Sequence, residues 1–296
     1  MWKWIVTLSL SLIVLAACGG PEPINRDDPF ESLYPWDGER KGVRELNTGI
    51  EIFEIEAGQK GGLSPAIGDL IIVSHEGRAL ETGTVFESSF ANQTRAAFGV
   101  GQRFGGWFQT VSGMSEGDEW MARIPSALAF GERGRGDRVK PGEDVLYRIK
   151  LHQVVKPQTS DASAWERHLP WDGSNPDVVT TESGLQYITL EEGNTSQQRP
   201  SRDATVYAFY EGKLAESGEK FDSAFDRGTA FETAVTRVIP GWTEMLMSMH
   251  PGQRVIAYIP AELGYGAQGY PGVIPPNADL VFEMKLMAAL EPAKPE

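Results

Sequence analysis

The chain repeats itself at a spacing of 135 residues, and this repeat constrains its fold more than any other feature. The motif Pro-Trp-Asp-Gly occurs at 35–38 and again at 170–173. Other Trp, Gly, Pro, Phe and Met positions recur at the same spacing: Phe86 and Phe221, Gly106-Trp107 and Gly241-Trp242, Met114 and Met249, Pro125 and Pro260, Pro141 and Pro276. We therefore predict two domains of the same fold, which suits a length of 296 residues.

The segment 240–249 has the spacing of a short amphipathic helix. Its large apolar residues occupy one helical face, at Trp242, Met245, Leu246 and Met249. Segments 185–190, 205–212, 254–260 and 280–286 have the composition and patterning of half-buried strands. A single short helix among many strands must lie across the sheet to bury its apolar face. We expect an α+β fold, with two domains that are each an antiparallel sheet wrapped over one short helix.

The composition divides the chain into five segments. We expect a signal peptide at 1–18, a polar tether at 19–43, a first domain at 44–157, a linker at 158–176 and a second domain at 177–292. Each Pro-Trp-Asp-Gly motif is interpreted as a turn whose Trp packs on its own domain, with peptide docking as the alternative.

The first 18 residues have the features of an export signal. Lys3 precedes an apolar run at 5–14, which is too short to span a bilayer. Small residues then lead to Cys18, the only cysteine of the chain. This resembles a bacterial lipoprotein signal, whose cysteine is acylated; an ordinary secretory signal is the alternative. Gly19 after Cys18 favours the outer membrane in the Gram-negative pattern. We therefore expect an envelope protein that faces the periplasm and is anchored to the membrane through a lipid on Cys18.

Several other classes of function are disfavoured. A formal net charge of −14 makes nucleic acid and anionic lipid poor partners. The four histidines lack metal-ligand spacing. The segment 264–269 matches a dinucleotide fingerprint by spacing, but prolines follow it where a helix would be required. We expect neither a metal nor a cofactor.

The second repeat contains a series of motifs in a familiar order. They are Tyr210-Glu211-Gly212, Phe221-Asp222-Ser223, Val238-Ile239-Pro240-Gly241-Trp242, Gly264-Tyr265-Gly266 and Pro275-Pro276-Asn277-Ala278-Asp279-Leu280. This order closely resembles the FKBP-type (immunophilin) peptidyl-prolyl cis-trans isomerases over about residues 182–290. The resemblance implies an apolar pocket for a proline ring, with Trp242 as its floor.

The resemblance also implies roles for individual residues. Catalytic roles are expected for Tyr210, Asp222, the Ile239 backbone N–H and the Tyr265 hydroxyl, the last two holding peptide carbonyls. Substrate contacts are expected from Phe221, Phe231, Val238, Trp242, Tyr270, Ile274 and Phe282. Tyr270 is a departure, because many members carry His there, and it is expected to alter the preference for the residue before proline.

The implied reaction fits this composition. Rotation about an X–Pro bond faces a barrier of about 18–20 kcal/mol and breaks no bond. The twisted amide loses resonance and polarity, so a dry aromatic pocket favours it over the planar, hydrated amide. A thousandfold acceleration requires only about 4 kcal/mol. The expected partners are Pro-containing polypeptides.

The first repeat departs from the pattern at the site. His75, Glu87 and Ala96 replace Tyr210, Asp222 and Phe231, while Arg103-Phe104 replaces Val238-Ile239 and Phe130 replaces Tyr265. We expect Ala96 to open a wall and the charged residues of 131–142 to bring water to the site. Weak or absent isomerase activity is predicted for this domain, with a working site of altered specificity as the alternative.

Two functions remain after this reasoning. One is an isomerase that assists the folding of exported envelope proteins, with catalysis in the second domain. The other is a non-catalytic chaperone or docking module that binds Pro-containing segments. A purely structural envelope lipoprotein is a third possibility, which would require the second pocket to be accidental.

Overall fold

Each half of the chain forms an antiparallel sheet with one principal helix packed across it, which confirms the predicted fold. The structure is a computed structural model that describes residues 24–293. The predicted signal peptide with Cys18 lies outside the described residues. Within the described part, no helix combines the length and the apolar character needed to cross a membrane.

The first domain has seven strands. Its elements are α1 (Pro29–Leu33), β1 (Val43–Glu45), β2 (Glu51–Glu56), β3 (Leu70–Ala79), β4 (Val85–Ser88), β5 (Ala96–Gly99), α2 (Gly105–Ser112), β6 (Glu119–Ile124) and β7 (Val145–Val155). The strand order is β1-β2-β6-β7-β3-β4, and β5 pairs with β3 beside β4. Short 3₁₀ turns lie at Ser126–Leu128 and Gly131–Arg133.

The second domain repeats this topology. Its elements are α3 (Ala162–His168), β8 (Val179–Thr180), β9 (Gln186–Glu191), β10 (Thr205–Leu214), β11 (Lys220–Ser223), α4 (Ala224–Arg227), β12 (Phe231–Ala234), α5 (Pro240–Ser248), β13 (Arg254–Ile259) and β14 (Leu280–Leu290). The order is β8-β9-β13-β14-β10-β11, with β12 paired to β10. Short 3₁₀ turns lie at Val235–Arg237, Ala261–Leu263 and Gly266–Gln268.

The helix α5 forms as its sequence predicts. Pro240 is its first residue, where the absence of an N–H is tolerated. The predicted apolar face is buried in the core of the second domain, at Trp242, Met245, Leu246 and Met249. Met247, which the helical spacing places on the opposite face, is exposed. The helix therefore covers the inner face of the sheet and places Trp242 in its first turn.

Part of the predicted tether is instead a folded part of the first domain. Asp28 caps α1 by accepting from the Phe30 N–H at 3.0 Å. Phe30 and Leu33 are buried against Phe53 and Met121, on the sheet face opposite α2. The Pro-Asp-Glu composition predicted a polar spacer, but the apolar residues among these polar ones, with Phe30 and Leu33 buried, anchor the segment.

The predicted linker 158–176 is also largely packed. Ser160 donates to the fully buried carboxylate of Glu283 at 2.6 Å, and Trp165 on α3 is buried against the second sheet. Trp171 stacks on Tyr258 with ring centroids 5.9 Å apart, as predicted for a tryptophan that packs on its own domain. This segment is therefore the counterpart of α1 and its flanks, as the repeat would require.

The two domains contact each other directly. Ile72 of β3 packs with Tyr207 and Ala288 of the second domain in a small buried cluster. The Gln153 side chain donates to the Met287 carbonyl at 3.1 Å. Residues of β3, β10 and β14 therefore form a small apolar contact between the two domains.

Candidate functional site

A cavity of about 490 Å³ opens in the second domain, between the start of α5 and the inner face of the sheet. Its lining contains nine of the eleven predicted site residues, together with Arg237: Tyr210, Phe221, Asp222, Phe231, Arg237, Val238, Ile239, Trp242, Tyr265 and Phe282. These residues come from four strands, one helix and two turns. Only the fold brings them together.

The walls are aromatic rings that stand perpendicular to one another. Tyr210 and Phe282 meet the Trp242 ring edge-on, with centroids 4.9 Å and 5.3 Å away. Phe231 meets the same ring at 6.1 Å, and Phe221 meets Phe282 at 5.5 Å. Such T-shaped contacts fix ring orientation. The result is a pre-formed apolar slot above the indole.

Gly212 allows two of these walls to approach the sheet. A Cβ at this position would lie 2.6 Å from both Phe221 and Phe282. Gly77, 135 residues earlier, has the same relation to Phe86 and Tyr147, at 2.5 Å and 2.8 Å. The absence of a side chain at this strand position is thus part of how both domains seat their aromatic residues.

The polar rim is organised around Asp222. Its carboxylate accepts from the Tyr210 hydroxyl, from Arg227 at 2.5 Å and from the Ser223 N–H at 2.8 Å. Partial burial opposes ionisation of Asp222, but the hydrogen bonds from Tyr210 and Arg227 outweigh it and lower the pKa. Asp222 therefore remains a carboxylate near neutral pH.

The same network keeps Tyr210 protonated. Burial, followed by its hydrogen bond to Asp222, raises the pKa of Tyr210 to about 12. Arg227 also donates to the Tyr210 hydroxyl oxygen, at 3.1 Å. The phenol and the guanidinium both hold the carboxylate at the rim, away from the apolar floor.

Arg227 and Arg237 were not predicted. Arg227 ends the short helix α4, which Ser223 caps and Gly228 terminates with a left-handed φ of 66°. A Ser at 223 and a Gly at 228 are typical of the two ends of a short helix. Only the fold shows that this helix directs Arg227 back to Asp222. Arg237 ends the 3₁₀ turn before α5 and lies at the edge of the pocket.

Two predicted hydrogen-bond donors have no acceptor within the described part of the chain. Within residues 24–293, neither the Ile239 N–H nor the Tyr265 hydroxyl donates to another group. Ile239 precedes the first turn of α5, so its own carbonyl accepts from Trp242 while its N–H is outside the helix. Burial raises the pKa of Tyr265, so its hydroxyl keeps its proton.

Two predicted contact residues lie outside the cavity lining. Ile274 is 5% exposed and belongs to the apolar core beneath the loop. Tyr270 is 55% exposed and packs against Tyr265, with ring centroids 5.9 Å apart. The backbone of Tyr270 pairs with that of Ile274, which makes 270–274 a tight loop beside the pocket.

The first domain has a different arrangement at the equivalent place. Ala96 was expected to leave an open wall, but Phe98 on the same face of β5 contacts Trp107 at 5.4 Å and fills it. Arg103 lies over the Trp107 ring, with its guanidinium carbon 4.9 Å from the centroid. The predicted open, wet site is therefore wrong, because aromatic and arginine side chains occupy the space.

No group of three or more His, Cys, Asp or Glu side chains in residues 24–293 is arranged to hold a metal ion.

The sequence model of the family described as FKBP-type peptidyl-prolyl cis-trans isomerase matches twice, at residues 61–152 and 196–287. These matches span more than half of the chain and fall once in each domain. They follow the same duplication that the 135-residue spacing indicates.

The chain is also similar to individual proteins. The chain is 34% identical over 207 residues to the FKBP-type 22 kDa peptidyl-prolyl cis-trans isomerase of Escherichia coli (strain K12), covering 67% of this chain and 96% of that protein. It is 41% identical over 115 residues to the peptidyl-prolyl cis-trans isomerase Mip of Coxiella burnetii, covering 39% and 49%. A crystal structure of FkpA from Escherichia coli matches 41% of this chain and 55% of its own, at 38% identity and a TM-score of 0.38.

Proposed function

The chain belongs to the FKBP-type peptidyl-prolyl cis-trans isomerases, with two domains of that family, and we propose that its second domain carries the catalysis. The observation that carries this proposal is the contrast between the two sites. The second domain has an open aromatic cavity of about 490 Å³ over Trp242, whereas Arg103 covers the matching Trp107.

The pocket is suited to the twisted amide of an X–Pro bond. A proline ring on Trp242 removes the imide from water, which destabilises the polar planar form relative to the less polar twisted form. The Ile239 N–H and the Tyr265 hydroxyl are donors without partners in the described chain, available to peptide carbonyls. The aromatic side chains of Tyr210 and Phe282, which stand edge-on to Trp242, would hold the proline ring of the substrate in one orientation.

Asp222 acts as an electrostatic and positioning group at the rim. Its charge is paired with Arg227, and it accepts a hydrogen bond from the Tyr210 hydroxyl, so it does not place an uncompensated charge beside the apolar floor. No proton needs to be transferred in the reaction. We therefore expect little change in catalytic rate between pH 6 and 8, where Asp222 stays ionised and Tyr210 and Tyr265 stay protonated.

The experiment that tests this proposal is catalysed exchange of a Phe–Pro peptide, measured by NMR with the full chain. Asp222→Ala combined with Tyr265→Phe should slow catalysis at least tenfold while the fold is kept. Wild-type rates in that double variant would remove the second pocket from the mechanism.

We further propose that the enzyme works in the cell envelope on exported, Pro-containing polypeptides, anchored by a lipid on Cys18. Support comes from the lipoprotein-like sequence before Cys18 and the absence of any other cysteine in the chain. Mass spectrometry of the mature N-terminus and membrane fractionation of Cys18→Ser would test this. An unacylated N-terminus would contradict lipid anchoring and favour an ordinary secretory signal.

A chaperone or docking function remains the second candidate. The loop beside the pocket exposes the apolar side chains of Tyr270 and Val273, which are suited to contact a polypeptide beyond its proline. Suppression of aggregation of a proline-free client by the catalytically impaired double variant would favour this function. Loss of that suppression together with isomerisation would favour catalysis alone.

A further inference from the structure

The first domain retains the aromatic frame of a proline pocket. Phe86 meets Phe130 and Tyr147 edge-on at 5.5 Å and 5.6 Å. Phe98 meets Trp107 at 5.4 Å and 77°, a contact similar to that of Phe231 with Trp242 in the second domain. The floor and walls of the site are therefore present, with Phe98 compensating for Ala96.

Two arginine side chains lie against this frame. Arg135 lies over the Phe86 and Phe130 rings, with its guanidinium carbon 4.9 Å and 5.4 Å from the centroids, and Arg103 covers the Trp107 floor. Arg103 stands where the second domain has Val238. Its guanidinium carbon is 4.5 Å from the Phe98 ring centroid and 4.9 Å from that of Trp107, and the side chain is only 16% exposed. A cation this close to both rings occupies the space above Trp107 that a proline ring would need.

A carboxylate holds the arginine in place. Arg103 forms an ion pair with Glu87 and donates to the Tyr147 hydroxyl at 3.4 Å. Glu87 also accepts from Tyr147 at 2.6 Å and from Arg135 at 2.8 Å, while His75 lies 3.7 Å away. Glu87 thus keeps two donors if Arg103 is removed, so its charge would remain compensated.

We propose that the first domain contains a latent binding site for a proline ring and that Arg103 keeps it closed. The ligand class rests on the proposed function of the second domain. Removing the guanidinium would expose the face of Trp107 within intact aromatic walls. Binding would return without efficient catalysis, because Phe130 lacks the hydroxyl that Tyr265 offers.

The test uses the full chain labelled with ¹⁵N-tryptophan and a short peptide with a single Phe–Pro bond. The indole N–H groups of Trp107 and Trp242 are buried without a hydrogen-bond partner and report on the two sites separately. In the wild type, the peptide should shift the Trp242 signal only. In Arg103→Val, which installs the residue of the second domain, both signals should shift, and the Trp107 site should bind at least tenfold more tightly than in the wild type.

Arg44→Val is the matched control, because Arg44 lies over the Trp120 ring at 4.8 Å in the same domain. This variant should leave Trp107 unresponsive to the peptide. If Arg103→Val unfolds, Arg103→Val with Glu87→Gln removes the remaining charge and repeats the test. In the wild type, the Arg103 guanidinium protons should also be shifted upfield by the Trp107 ring, a measurement that requires no variant.

The outcomes separate the two proposals. A Trp107 signal that already responds in the wild type, or one that stays unmoved in a folded Arg103→Val variant while Trp242 saturates, would overturn the closed-site inference. Arg103 protons without a ring-current shift would also overturn it. A Trp242 signal that does not respond in the wild type would contradict the proposed function of the second domain instead.

Discussion

Gly212→Ala should damage the active pocket without touching any polar group. The new Cβ would lie 2.6 Å from Phe221 and from Phe282, whereas ordinary contact begins at 3.4 Å. Both rings must therefore retreat by about 0.8 Å, and the open side available to them is the cavity. Displacements near 1 Å in a positioned site cost about 100-fold in rate. We expect kcat/KM to fall about 10- to 100-fold and the free energy of unfolding to fall by about 1–3 kcal/mol.

Gly77→Ala provides a matched control at the equivalent position of the first domain. Its Cβ would lie 2.5 Å from Phe86 and 2.8 Å from Tyr147, so the packing strain is comparable. We expect a similar loss of stability and no change in kcat/KM. The assay is NMR exchange of a Phe–Pro peptide, with thermal unfolding measured in parallel. Wild-type kcat/KM in a folded Gly212→Ala variant, or equal losses of activity in both variants, would contradict this prediction.

Arg227→Ala should reduce kcat/KM about three- to tenfold by removing a charged hydrogen bond to Asp222, and an unchanged value in steady-state assays would assign Arg227 to stability alone. Burial lowers the pKa values of His75 and His152 from 6.5 to about 4. The folded state therefore has its full stability above pH 6.5 and loses stability as the pH falls toward 4, by about 2 kcal/mol for each histidine at pH 5. Chemical denaturation of a His75→Gln, His152→Gln variant should accordingly vary less between pH 7 and pH 5 than that of the wild type, and an equal slope would contradict this. Trp165→Ala should destabilise the second domain by about 3–5 kcal/mol, and a midpoint equal to that of the wild type would mean that α3 is only loosely attached.

Much of the architecture could be predicted because it depends on patterns that survive duplication. The i, i+3, i+4, i+7 spacing from Trp242 to Met249 predicted α5, and the fixed offset predicted that the first half would repeat it. Apolar residues that recur with the period of a helix or a strand indicate which face of that element is buried. The resemblance to a family then supplied the set of pocket residues, nine of which line one cavity.

The remaining features depend on tertiary packing and could not be predicted locally. The segment around Phe30 looked polar because the apolar residues that anchor it, such as Phe30 and Leu33, are scattered among polar ones. Ala96 looked like a missing wall because Phe98, two residues later, compensates from the same strand face. The position of Arg103 could not be predicted either, because no short-range pattern shows that its guanidinium pairs with Glu87 and lies over the Trp107 ring.

The most direct test of the account compares matched knockouts of the two sites in the full chain. One variant carries Tyr210→Phe and Asp222→Ala, and the other carries the equivalent changes His75→Phe and Glu87→Ala. Catalysed exchange of a Phe–Pro peptide should fall at least tenfold in the first variant and stay within twofold of the wild type in the second. Retained exchange in the first variant and lost exchange in the second would place catalysis in the first domain and contradict the account.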